Sequence, residues 1–209
     1  IGGPCERTLR QRGGALAARA YSVWAGEASP AVAWVRVFAA SDPYLGRRPG
    51  HVLIMILPET KERRPWPSYG LRQRVRNYFE ARATASLCAT RCIHVTGPNY
   101  FPIDVEVTIV PQNAAEAGLI EQRVRAALEE FLHPLYGGPR RSGWELGRDV
   151  FLSDIAAEIE AVAGVDYARE ITLLRDNAPQ ENRIAVPRDR LVVAGNIHIK
   201  LLLSERKRT

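Results

Sequence analysis

Cys88, Cys92 and His94 make the densest group of soft or imidazole donors in the sequence. Two thiols four residues apart can share one helix face, and zinc accepts thiolate and imidazole alike, in tetrahedral sets of four. The other histidines, His51, His133 and His198, show no ligand spacing around them, so the expectation is no metal and no cofactor, with the cysteines held as free, partly buried thiols. The third cysteine, Cys5, makes an odd count, and no basic segment followed by an apolar one opens the sequence. A disulfide framework is therefore not expected, and a reducing site of synthesis is.

Asp149 and Asp154 are the one carboxylate pair whose spacing invites a general acid and base reading. Simpler roles fit both: Asp149 beside Arg148 reads as a local ion pair, and Asp154 after Ser153 falls in a first helical turn, where an anion is favoured. No Gly-x-Ser-x-Gly elbow, no phosphate loop and no His-Glu-x-x-His are found, so no catalytic residue is assigned and the chain is not expected to be an enzyme. Trp144 sits in a glycine-rich stretch after Arg140 and Arg141 and has the chemistry to stack on a base or sugar while the arginines hold a phosphate. Without further interleaved aromatics, the indole reads instead as a packing anchor, within the chain or across a subunit boundary.

The elements that would position these residues follow from periodicity. Residues 1–30 read as a leading segment with helical potential from Ala15 to Ala20, ended by Gly26 and Pro30. Val32–Ala39 reads as a strand, and Val52–Leu57, a continuous apolar run, as a strand covered on both faces, with a turn-rich loop from Asp42 to Gly50 between them. Lys61–Ser68, with Pro65 and Pro67, is irregular. Leu71, Val75, Tyr78, Phe79 and Ala83 then recur at helical spacing, which predicts an amphipathic helix with both aromatics in the core.

From Ile93 the pattern returns to β structure. Ile103, Val105, Val107 and Ile109 alternate with polar residues, and Leu119, Ile120, Val124, Ala127, Leu128, Phe131 and Leu132 form one helical stripe, with Glu121, Arg125 and Glu129 spaced for ion pairs. Ser153 is suited to cap a short helix with Ile155, Ile159 and Val162 inward and Gly164 as a left-handed stop. Ala168–Leu174 and Leu191–Leu203 read as strands around a polar loop, with a bulge or turn at Gly195-Asn196. The result is an α+β protein, with mixed or antiparallel sheets and helices packed on one face, divided as 1–30, 31–96 and 97–209.

Three segments carry a family resemblance: Gly97-Pro98-Asn99-Tyr100; Phe131-Leu132-His133-Pro134-Leu135 before Gly137-Gly138; and Trp144-Glu145-Leu146-Gly147-Arg148-Asp149-Val150. With gaps, the pattern runs from Gly2-Gly3-Pro4-Cys5-Glu6 to Gly195-Asn196-Ile197-His198-Ile199, and it resembles the baseplate J-like family of baseplate assembly proteins. Arg19-Ala20-Tyr21-Ser22 departs from the Arg-Ala-Val-Thr-like stretch usual in the family. The resemblance implies a C-terminal portion of a wedge protein of a contractile phage tail or extracellular contractile injection system. Its implied partners are a second, related wedge protein, a sheath-initiating protein, the central spike and hub, and further copies of itself. Synthesis and assembly in the bacterial cytoplasm, followed by residence in a virion-like or extracellular particle, are also implied. Tyr100, Arg140, Arg141, Trp144, Arg148 and Asp149 are the expected interface residues.

The formal net charge of +6 favours a competing class, a basic nucleic-acid-binding α+β module. Against it, the positive charge is spread thinly, and the one dense cluster is Arg206-Lys207-Arg208. The preponderance of Arg over Lys fits either a GC-rich genome or bidentate pairing with carboxylates at subunit contacts. No nucleic-acid partner is expected, and neither is membrane insertion, since no apolar run approaches the roughly 20 residues that cross a bilayer. The opening Ile1-Gly2-Gly3, without Met, reads as a segment cut from a longer protein.

Overall fold

A computed structural model describes residues 23–43, 46–82, 92–176 and 178–202. It is α+β, with separate sheets of three, four and two strands, and the chain divides into two compact units, Ile1–Pro98 and Asn99–Thr209. The helical potential expected over Ala15–Ala20, together with Cys5, Cys88 and Arg206-Lys207-Arg208, lies outside the described residues.

In the first unit, β1 (Val32–Asp42) and β2 (Gly46–Pro58) pair antiparallel, and β3 (Ile93–Thr96) joins the other edge of β2 in parallel. Helix α1 (Tyr69–Glu80) lies between β2 and β3 in the chain, as a parallel connection requires. All six residues of Val52–Leu57 are buried, as expected of a central strand. Val52, Ile54 and Ile56 share a core with Leu71, Val75 and Phe79 of α1 and with Ile93. Full burial of each such side chain contributes about 1.5–3 kcal/mol, which holds the helix to the sheet. Ser68 starts α1, its hydroxyl accepting from the Leu71 amide at 3.2 Å.

Three expectations for this unit need correction. The supposed loop from Asp42 to Gly50 is largely strand, because β1 extends to Asp42 and β2 starts at Gly46, with Ser41 paired to Arg47 and Asp42 to Gly46. The register jumps between these pairs and Ala39–Val52, so Ala40, at φ 51°, stands opposite residues 48–51, and Pro49 occupies a place that demands no ladder hydrogen bond. Secondly, only Phe79 of the aromatic pair is core. Tyr78 is half-exposed, its hydroxyl donating to Glu27 and its ring lying under Arg82. Gly26 falls within helical residues 23–28 instead of ending a helix, which brings Ala25 into the core and Trp24 edge-on to Phe79.

In the second unit the sheet order is β7-β6-β4-β9, from β4 (Asn99–Pro111), β6 (Val165–Arg175), β7 (Ala178–Gln180) and β9 (Arg190–Leu201). β4 is antiparallel to β6 and parallel to β9. Ile103, Val105, Val107 and Ile109 are buried as their alternation predicts. Helix α2 (Ala117–Phe131) packs against β9, α3 (Leu152–Glu160) against β6, and the two helices touch each other. The inward stripe of α2 is Ile120, Val124, Leu128 and Phe131, while Leu119 is exposed. The expected pair of Glu121 with Arg125 forms at 3.1 Å.

The bulge at Gly195-Asn196 is present, since Ile103 pairs with Ala194 but Val105 with Ile197. Asp104 fills the resulting gap, its Oδ1 accepting from the Asn196 amide at 2.6 Å. A short ribbon joins β5 (Val150–Phe151) to β8 (Arg183–Ile184). It also changes the start of α3. Phe151, not Ser153, is the N-cap and makes no side-chain cap bond, while the Leu152 amide, one of the four free at a helix start, donates to the Asn182 carbonyl. Asp154 does lie in the first turn, and Gly164 does take a positive φ, 99°.

Candidate functional site

The segment from Leu132 to Asp149 is built on the C-terminal end of α2, where carbonyls of the last turn lack helical partners. The Phe131 carbonyl accepts twice, from the Gly138 amide at 2.7 Å and from the Trp144 indole N–H at 2.8 Å. The His133 ring turns back on its own segment, Nδ1 accepting from the amides of Leu135 and Tyr136. Two glycines make the close return possible. A Cβ on Gly137 would lie 2.0 Å from the Phe131 carbonyl oxygen, and Gly143 holds φ at 88° while its amide reaches the Gly137 carbonyl.

The residues predicted for an interface divide into anchors and surface groups. Trp144 is an anchor: its side chain is 3% exposed and meets the Phe131 ring edge-on at 5.6 Å. Asp149 is another. Its Oδ1 accepts from the Val186 amide at 3.0 Å and its Oδ2 pairs with Arg183 at 3.5 Å, so the ion pair expected with Arg148 is replaced by one that ties the loop to the β8 region. Arg141, at φ 53°, pairs with Glu158 of α3 and with Glu130 of α2. Arg140 is a surface group, 77% exposed, and among the described residues its ion-pair partner is the exposed Glu145 at 3.7 Å. Arg148 is half-buried. Tyr100 stands apart in sequence but not in topology, since it pairs in register with Leu191, next to Arg190, whose carbonyl accepts from the Gly147 amide.

A second polar group, missed by linear spacing, lies in the first unit. His51 of β2 and His94 of β3 rise from the same face, because His94 is in register with Leu53, two residues from His51. Their rings lie end to end in nearly parallel planes, with centroids 5.2 Å apart and His51 Nδ1 2.9 Å from His94 Nε2. Asp42 Oδ2, at the far end of β1, lies 3.6 Å from the first nitrogen and 3.5 Å from the second. Arg48 Nη1 also reaches that oxygen, at 3.6 Å. Burial pushes the His94 imidazole below its usual range. Asp42 opposes this, while His51, Arg76 and Arg48 add to it. The one clue in the sequence is that β1, β2 and β3 are consecutive strands, but side-chain convergence also needs the register jump at Ala40.

Two α+β units, each a small sheet with helical cover, define the class of architecture. No protein-family model matches the sequence, and no curated protein does so either. Among solved structures, a chain in the electron cryomicroscopy structure of the anti-feeding prophage baseplate, 6-fold symmetrised, has a similar fold, with a TM-score of 0.55 and 16% sequence identity. The likeness covers 95% of this chain and 42% of that one, so this chain spans less than half the length of its structural neighbour. At that identity the likeness is one of fold.

Proposed function

We propose that this chain is a non-enzymatic structural component of the baseplate of a contractile injection system or phage-tail-like particle. It serves as the C-terminal portion of a wedge protein in a ring around the central spike. The observation that carries this reading is the fold likeness to a baseplate chain over 95% of the present chain. The J-like segments Gly97–Tyr100, Phe131–Gly138 and Trp144–Val150 support it from the sequence side. Its partners are further copies of itself, a second related wedge protein, the sheath-initiating protein and the spike and hub proteins.

In this role the 137–149 loop is a contact surface whose shape is held from within. Trp144, Asp149 and Arg141 fasten it to its own unit, Arg140 and Glu145 are exposed, and Arg148 is half-buried. A ring that changes diameter needs interfaces with two packings separated by a small free energy, and exposed charged contacts rearrange at lower cost than a continuous apolar seam.

Arg140→Glu is the cleanest probe, because the reversed side chain gives up only an exposed pair worth about 0–1 kcal/mol. The expected result is an unaltered thermal melt together with loss of ring assembly, read by electron cryomicroscopy of particles from cells carrying the variant. Normal particles with the variant at full occupancy would sink the interface role. Absence of the wild-type chain from any sheathed particle, with nucleic-acid binding that weakens steeply with salt, would replace the baseplate reading with the basic-module alternative.

A further inference from the structure

We infer that Asp42, His51 and His94 form a binding site for a divalent transition metal ion, zinc by its ligand set, independent of the baseplate reading. The three donor atoms are separated by 2.9, 3.5 and 3.6 Å. The circle through them has a radius of about 1.9 Å, so an ion about 2.0–2.1 Å from each atom sits roughly 0.6 Å off their plane. An ideal tetrahedral ion with such bonds stands about 0.7 Å above the plane of any three ligands. The triangle therefore has the size of one face of a zinc tetrahedron.

Hydrogen bonding accounts for the contact between the two rings. One imidazole N–H can donate across the 2.9 Å gap between the rings. The carboxylate oxygen is nearly equidistant from both nitrogens at 3.5–3.6 Å, longer than the roughly 2.7–3.2 Å of an N–H···O bond. A cation at the centre contacts all three donors at once. The environment suits a built site, with side-chain exposures of 6% for Asp42, 11% for His51 and 25% for His94.

The charges opposing an ion are Arg48 and Arg76. Arg48, half-exposed, can swing away from Asp42 when the ion takes its place, and Arg76 is already held by Glu80 at 2.8 Å. Among the described residues no fourth His, Cys, Asp or Glu joins the group, so water fills the remaining position. The ion fastens the far end of β1 to β2 and β3 across the register jump.

The test equilibrates the full chain with zinc chloride, removes free ion by gel filtration, and measures zinc per chain by plasma mass spectrometry. The wild type and Cys5→Ser/Cys88→Ser are expected to keep about one ion per chain. His51→Gln and His94→Gln, with unaltered far-ultraviolet circular dichroism, lose at least the roughly 10–100-fold in affinity that even an outer-shell change costs. Retention by His94→Gln equal to the wild type, or loss in the cysteine variant alone, overturns the assignment. A measurement without any variant is cobalt(II) titration of the wild type. Intense visible bands of a tetrahedral ion support the site, and a spectrum no stronger than that of the aquo ion refutes it.

Discussion

Replacing Trp144 tests whether the loop after α2 is held by a single indole. In Trp144→Phe the ring remains, but the N–H donated to the Phe131 carbonyl is lost, which costs about 0.5–1.5 kcal/mol. The carbonyl is not orphaned, because the Gly138 amide still donates to it at 2.7 Å. The smaller ring leaves a gap worth about 1 kcal/mol more, giving a total of about 1.5–2.5 kcal/mol. In Trp144→Ala the whole buried side chain goes, along with its edge contact to Phe131, and the expected loss is about 3–5 kcal/mol. With a urea dependence of about 1–3 kcal/mol per molar, the alanine variant shifts the midpoint by roughly 2 M. Far-ultraviolet circular dichroism is the proper probe, since the substitution removes the only tryptophan after Asn99, the others being Trp24, Trp34 and Trp66. Hydrogen exchange then localises the effect to amides of residues 131–150. A loss below about 1 kcal/mol for Trp144→Ala, or exchange spread evenly over the chain, would refute the anchoring role.

Two other substitutions address elements that place these sites. Ser68→Ala removes the hydroxyl that accepts from the Leu71 amide, and should cost about 1 kcal/mol in urea unfolding; no change would mean that water caps α1 equally well. Asp104→Ala deprives the Asn196 amide of its acceptor at the β9 bulge, with an expected loss of about 1–2 kcal/mol and faster hydrogen exchange at Asn196, whereas unchanged exchange there would show that the bulge does not depend on this side chain.

Elements whose burial follows a single period were legible in the sequence. The alternation of Ile103 to Ile109 marked the inner face of β4, and the stripe through Ile120, Val124, Leu128 and Phe131 marked that of α2. Periodicity could not separate Tyr78 from Phe79, because adjacent helical positions both border the apolar face and the partner Glu27 lies 51 residues away. Ser153 failed as a cap because the helix starts one residue earlier, at Leu152 directly after the β5–β8 ribbon, which puts Ser153 inside the first turn. The Asp42, His51 and His94 group was hidden more deeply. Spacings of 9 and 43 residues carry no coordination pattern, and only strand pairing, parallel on one side and interrupted on the other, brings the donors together.

The pairing of β4 with β9 has a consequence for biogenesis. Asn99 aligns with Arg190 and Ile109 with Leu201, so the strand at the centre of the second unit stays open along one edge until about 90 further residues have been translated. At roughly 5–20 residues per second that wait lasts about 5–20 s, while the contacts to be made are long-range and intrinsically slow. During this interval Ile103, Val105, Val107 and Ile109 emerge from the ribosome without their parallel neighbour, exposing an adhesive strand to other nascent chains. The second unit therefore cannot complete its sheet until residues 190–201 have cleared the exit tunnel, and the interval is set by the length of chain between the two strands.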